Sequence, residues 1–132
     1  MFSESQYSGK HLLCDIKQIR NRNLLNNIDG IKQLMDSICN AHQYSILQKI
    51  EHVFEPQGFS VLYLLSESHM SIHTFPERYY LAFDLYTCRN YANNDEYNQI
   101  YNTLIAEFDA TGETPNIINR YFTPFNILNA DP

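Results

Sequence analysis

Between Tyr44 and Thr87 the chain passes through four strand-like segments, joined by links too short to hold a crossover helix. This constrains the fold more than any other feature. Tyr44, Ile46, Ile50 and Phe54 alternate with polar residues at the period of two that a strand imposes. Glu55-Pro56-Gln57-Gly58 places Pro and Gly where a tight turn wants them. Phe59 to Ser66 is mostly apolar and reads as a central strand; His69 to Phe75 and Tyr79 to Thr87 follow. Strands linked so closely pair antiparallel.

Two helices flank this run. Ile28, Ile31, Leu34, Met35 and Ile38 recur at helical spacing and predict a helix from Asn27 to Ala41. Tyr97, Ile100, Tyr101, Leu104, Ile105 and Phe108 predict a second, with Asn94 and Asp95 at its start and Thr111-Gly112 at its end. Strands are also expected over His11 to Ile16 and Asn116 to Phe122. Asn21 to Asn27, Asn90 to Asn94 and the tail after Pro124 read as loops. The expected fold is α+β, a two-layer sandwich with a mainly antiparallel sheet and two helices packed on one face. The other face is then solvated or covered by a partner.

A chain of 132 residues, 44 % hydrophobic and 18 % charged, has enough apolar side chains for one domain spanning 1–132. Its net charge of −6 argues against nucleic acid, whose phosphates need cations, and more weakly against an anionic membrane surface. No apolar run approaches the ~20 residues of a membrane span, and MFSESQYSGK lacks the apolar core of a secretory signal. Cys14, Cys39 and Cys88 are scattered and odd in number, as reduced thiols in the cytoplasm would be.

The segment carrying chemistry is Leu64-Leu65-Ser66-Glu67-Ser68-His69-Met70-Ser71-Ile72-His73-Thr74-Phe75-Pro76-Glu77. Strand alternation puts His69, Ser71, His73 and Phe75 on one face and Met70, Ile72 and Thr74 on the other. Pattern alone makes the first set a solvated face. A shared metal is a poor alternative, because His69 and His73 are ~13 Å apart at ~3.3 Å per strand residue. A serine hydrolase would need a glycine-flanked nucleophile elbow, which is missing.

SESHMSIHTFPE followed by FDLYTC closely resembles the self-processing segment of the short bacterial and archaeal S-adenosylmethionine decarboxylases. The resemblance runs over residues 9 to 122. It includes Gly9-Lys10-His11-Leu12-Leu13, Phe54, Pro56, Gly58 and Ser60, and the interval of twenty residues from Ser68 to Cys88. It implies that Ser68 attacks the Glu67 carbonyl and that the amide becomes an ester. Elimination and hydrolysis then leave a pyruvoyl group at position 68, with Met1–Glu67 as the β chain and Ser68–Pro132 as the α chain. That group is an electron sink which forms a Schiff base with the substrate amine, and no metal is implied.

The resemblance also assigns roles. Ser60 supports processing, His73 is the base of the elimination, and Cys88 returns a proton during decarboxylation. Phe54 stacks on adenine and Glu77 holds the ribose hydroxyls. The implied substrate is S-adenosylmethionine and the product the aminopropyl donor for spermidine, made by a homodimer with sites near the subunit interface. Read without the resemblance, these are ordinary residues: a strand hydroxyl, a solvated imidazole, a buried thiol, a core aromatic and a loop charge. Cys14 and Cys39 keep that plain reading. Val61 and Arg89 stand where glycine is usual, Phe75 stands for a frequent Trp, and the segment after Asp15 lacks the usual aromatic-Gly-Cys. These departures bear on the pocket, which leaves arginine or ornithine as alternative substrates. A non-processing regulatory paralogue and an adenosine-binding module are the rival classes.

Overall fold

The computed structural model describes residues 7–123. Its elements are β1 (Tyr7–Ile16), α1 (Arg22–Leu25), α2 (Ile28–Ala41), β2 (Ile46–Val53), β3 (Phe59–Leu65), β4 (Ser68–Phe75), β5 (Tyr80–Thr87), α3 (Asp95–Phe108) and β6 (Asn116–Tyr121), with a 3-10 turn at Pro76–Arg78. The strands form one sheet in the order β2-β3-β4-β5-β1-β6, and every neighbouring pair is antiparallel. The α+β sandwich expected from the strand and helix periods is the fold observed.

The alternation sorts the sheet into two faces. Leu12, Cys14, Ile16, Val61, Tyr63, Met70, Ile72, Phe83 and Leu85 point to the helices and are buried. There they meet Ile31, Leu34, Met35 and Ile38 of α2, and Tyr97, Ile100, Leu104 and Phe108 of α3. Tyr63 ties the layers together by donating to Lys32 O at 3.1 Å and to Asp36 Oδ1 at 2.7 Å. Ion pairs Lys32–Glu51 and Lys49–Asp36 then fasten β2 to α2. Burial opposes ionisation of Asp36, but its bonds to Lys49 and Tyr63 prevail and hold the carboxyl below its usual range.

The opposite face carries no helix among the described residues. Ile50, Leu62, Leu64, Phe75 and Ile118 remain 40–66 % exposed on it, beside His11, His69, Ser71 and His73. Of these, Ile50 and Leu62 are paired across β2 and β3 and Leu64 follows on the same face, a grouping of exposed apolar side chains of the kind interaction surfaces present.

Local departures have simple causes. The Asn-rich stretch expected as a loop contains the single turn α1, because asparagine also caps helices: Asn21 Oδ1 accepts from Leu24 N, and Asn27 Oδ1 from Gly30 N at the start of α2. At α3 the side chain that accepts from Asp95 N belongs to Asn93, while Asn94 Oδ1 accepts from Lys10 Nζ. That helix stops before Thr111-Gly112, at Asp109, which takes the left-handed conformation (φ 49°) itself. β1 starts four residues before His11 and pairs with β6 from Tyr7. The tail after Pro124 lies outside the described residues.

Candidate active site

The residues singled out by sequence fall into two clusters at opposite ends of β4. At one end Ser60 of β3 faces His73 of β4 in register, and Ser60 Oγ lies 2.6 Å from His73 Nδ1. When Nδ1–H donates to that hydroxyl, Nε2 keeps its lone pair, the tautomer a base requires. The pair is held from behind: Phe59 N donates to Thr74 Oγ1 and Thr74 Oγ1 donates to Phe59 O. Gly58, at φ 91°, permits the turn, and a Cβ there would sit 3.2 Å from Thr74 O.

This pair floors a cleft of about 360 Å³ that Phe54, Phe75 and Glu77 also line. Phe54 N donates to Gly58 O at 2.8 Å, which closes the turn and presents the half-exposed Phe54 ring. Its edge is braced by His52, ring centroids 4.7 Å apart. Glu77 stands on the 3-10 turn with its carboxylate exposed. The cleft thus offers one aromatic plane, one carboxylate and one oriented imidazole, a set suited to a planar base bearing a diol.

At the other end Ser66-Glu67 is the whole connection between β3 and β4, since Leu65 pairs with Ser68. Glu67 has φ 58°. The relaxed two-residue hairpins need positive φ at the first turn residue; here Ser66 is not left-handed and Glu67 is. A non-glycine residue held there costs on the order of 1–2 kcal/mol. The strain therefore adjoins the Glu67–Ser68 peptide. Ser68 is buried at 7 % exposure on the helix-facing side, and the turn is strapped by Ser66 N donating to Ser45 O at 3.0 Å.

Cys88 is exposed and follows Thr87, the last residue of β5, at this same end of the sheet, where His69 is paired with Tyr86. Burial pushes the Cys14 thiol up to about 12 and the Cys39 thiol up to about 11, so both are inert. On the open face His69 stacks on Tyr86 with centroids 5.7 Å apart, and His11 meets Tyr86 at a tilt, 4.8 Å away. Arg120 Nη1 donates to His11 Nε2 at 3.0 Å, and burial, Arg120 and His69 keep His11 below the usual imidazole range.

The structure unites Ser60, His73, Phe54 and Glu77, and separately brings Ser68 to the same end as Cys88. It does not bring the two groups together within one chain. Ser68 and His73 are five steps apart along the strand, ~16 Å at ~3.3 Å each, and the odd interval puts them on opposite faces. The spacing arithmetic that separates His69 from His73 carries this signal in the sequence as well. Sequence reasoning gave no role to Thr74, whose hydroxyl bonds to the Phe59 backbone, to Gln43, whose carbonyl accepts from Arg89, or to Tyr44, whose ring lies under that guanidinium; no pattern announces these contacts.

A family model described as S-adenosylmethionine decarboxylase matches residues 10–121. An S-adenosylmethionine decarboxylase proenzyme of Clostridium botulinum (strain Hall) is 40 % identical over 83 residues, 63 % of this chain and 71 % of that one. One from Methanococcus aeolicus is 32 % identical over 91 residues, 69 % of this chain and 77 % of that one. Among solved structures, the adenosylmethionine decarboxylase from Aquifex aeolicus superposes with a TM-score of 0.76 at 20 % identity, over 92 % of this chain and 97 % of that one; it shares the fold.

Proposed function

The chain belongs to the S-adenosylmethionine decarboxylase family, and on that premise we propose that it is a proenzyme that cuts itself between Glu67 and Ser68 and then decarboxylates S-adenosylmethionine. The observation that carries this reading is the left-handed Glu67 in a two-residue turn immediately before a buried serine.

The cut needs three things from the chain. A strained turn weakens the amide resonance that protects the Glu67 carbonyl. Ser68, the first residue of a paired strand, is next in sequence to that carbonyl; attack by its hydroxyl forms the Glu67–O ester and breaks the C–N bond. An imidazole must then take the Ser68 α-proton as the Glu67 carboxylate leaves, and His73 with Ser60 is the pair equipped for it. Hydrolysis of the resulting dehydroalanine releases ammonia and leaves the pyruvoyl group, whose ketone supplies the electrophile for the substrate amine. Phe54 and Glu77 orient the nucleoside, and Cys88, exposed at the Ser68 end, delivers a proton to the carbon that has lost CO₂. The product is the aminopropyl donor for spermidine.

Because Ser68 and His73 of one chain are ~16 Å apart along β4, a complete site needs two copies. We infer a homodimer in which the uncovered sheet faces meet, so that the Glu67–Ser68 turn and Cys88 at one end of one sheet come to Ser60, His73, Phe54 and Glu77 of the other copy; Ser68 turns from its helix-facing position to join them. Free thiols at Cys14, Cys39 and Cys88 fit a cytoplasmic enzyme.

A denaturing mass spectrum tests the reading: two fragments are expected, the C-terminal one blocked and reactive to borohydride. Assays of CO₂ release from S-adenosylmethionine, arginine and ornithine then fix the substrate. A single intact chain after long incubation refutes self-processing, and Ser68→Ala is the control that must stay whole.

A further inference from the structure

Arg89 directly follows Cys88 and is exposed, yet its side chain is engaged on three sides. Nη2 donates to Gln43 O at 2.5 Å, Nη1 donates to His42 O at 3.3 Å, and the guanidinium lies 4.9 Å from the centre of the Tyr44 ring. His42 is the C-cap of α2, whose last turn holds no basic residue of its own. A cation is favoured at that end of a helix, where carbonyls are left without partners, and Arg89 supplies it from another element. The planar fork reaches two carbonyls and still stacks on an aromatic face, which lysine cannot reproduce.

The contacts close a circuit through the Thr87–Arg89 turn that carries Cys88. Tyr44 Oη is 3.0 Å from Tyr91 Oη. Tyr91 meets Tyr97 edge-on at 5.4 Å. Tyr97 Oη is 2.7 Å from Thr87 Oγ1. Thr87 Oγ1 in turn accepts from the backbone N of Arg89 at 3.3 Å. One residue beyond Tyr44, Ser45 O accepts from Ser66 N in the turn that carries Glu67. Segment 42–45 therefore touches the Cys88 turn through Arg89 and the Glu67–Ser68 turn through Ser45.

We propose that Arg89 is a positioning residue that sets the Cys88 turn against the Glu67–Ser68 turn, serving both self-cleavage and the later proton delivery. This rests on the self-processing reading above. The full-length chain, made by pulse-labelled cell-free synthesis, is followed for fragment appearance as wild type, Arg89→Ala and Arg89→Lys. Loss of the charge-assisted bonds should slow cleavage about tenfold in Arg89→Ala, with Arg89→Lys between the two. Hydroxylamine, which cuts esters, should not restore the rate, because the defect precedes ester formation. In matured Arg89→Ala, kcat should fall about fivefold while KM stays within about twofold, since the Arg89 side chain is bonded to segment 42–45 and not to Phe54 or Glu77. Cleavage of Arg89→Ala at the wild-type rate overturns the proposal, as does rescue by hydroxylamine or slowing that only tracks a fall in melting temperature. An uncut wild type instead refutes the self-processing reading itself.

Discussion

Ser60 and His73 form a short hydrogen bond on the open face, whereas Cys88 stands exposed at the far end of the sheet; the two should fail in different ways when replaced. Cys88→Ala is expected to yield both fragments and then lose at least about a hundredfold in kcat, because proton delivery is removed and the cut is not; electrophoresis and CO₂ release separate the effects. His73→Gln should leave the chain uncut or trap it as the ester, which hydroxylamine reveals. The pH response of His11 follows from its surroundings. Burial, Arg120 and His69 lower its folded pKa below 6.5. The folded state thus prefers the neutral ring, so its contribution is present above about pH 6.5 and is lost as the pH falls below that. Urea midpoints should drop between about pH 7 and 5, and His11→Gln should flatten that drop. In the sequence His73 stood out through the SESHMSIHTFPE motif, Ser60 through the residues that precede it, and Cys88 through FDLYTC and the interval of twenty residues from Ser68, whereas His11 was given no role. Their separation was readable only from strand spacing, and the Arg89 contacts were not readable at all, since carbonyls 42 and 43 carry no sequence signature.

The elements were legible where one period ran long. The apolar repeats of α2 and α3 fixed both helices within a residue or two, and β3, β4 and β5 emerged because alternation and short turns agree there. Asn21 to Asn27 misled because the same side chain serves loops and caps. β1 was shortened because Gly9 and Lys10 interrupt the alternation. Gly9 has a packing reason: a Cβ there would lie 2.2 Å from Thr87 O and 2.7 Å from Tyr86 Oη. Gly9→Ala must push β1 away from the end of β5, and should cost about 2 kcal/mol in urea unfolding. It should also slow turnover, because Thr87 adjoins Cys88; a variant as stable as wild type would show that the strands part freely.

At the scale of the molecule, the exposed Ile50, Leu62 and Leu64 and the divided site argue for the same assembly. The uncovered face was already implied by two helices that can cover only one side of a sheet; what covers the other could not be read from one chain's periodicity. Co-expression tests the pairing. Ser68→Ala and His73→Gln chains should each remain uncut alone. Together they should give cleavage confined to the His73→Gln chain, whose serine meets an intact imidazole on its neighbour. Mass spectrometry identifies which chain is cut, and no cleavage in the mixture would place each site within one protomer. Leu62→Glu, a charge in the centre of that face, should yield monomers by sedimentation and abolish the cut.

The strand order has a topological consequence. A break after Glu67 would assign β1, β2 and β3 to one polypeptide and β4, β5 and β6 to the other. Along the sheet, β2-β3-β4-β5-β1-β6, the two would then interlace, with β1 clasped between strands of its severed partner. Three ladders would have to be dismantled to release either piece, so the nick costs the native state little. Recovery after denaturation, however, would change from a unimolecular event to a bimolecular one, slower at every dilution, and maturation would be a step the molecule does not readily retrace.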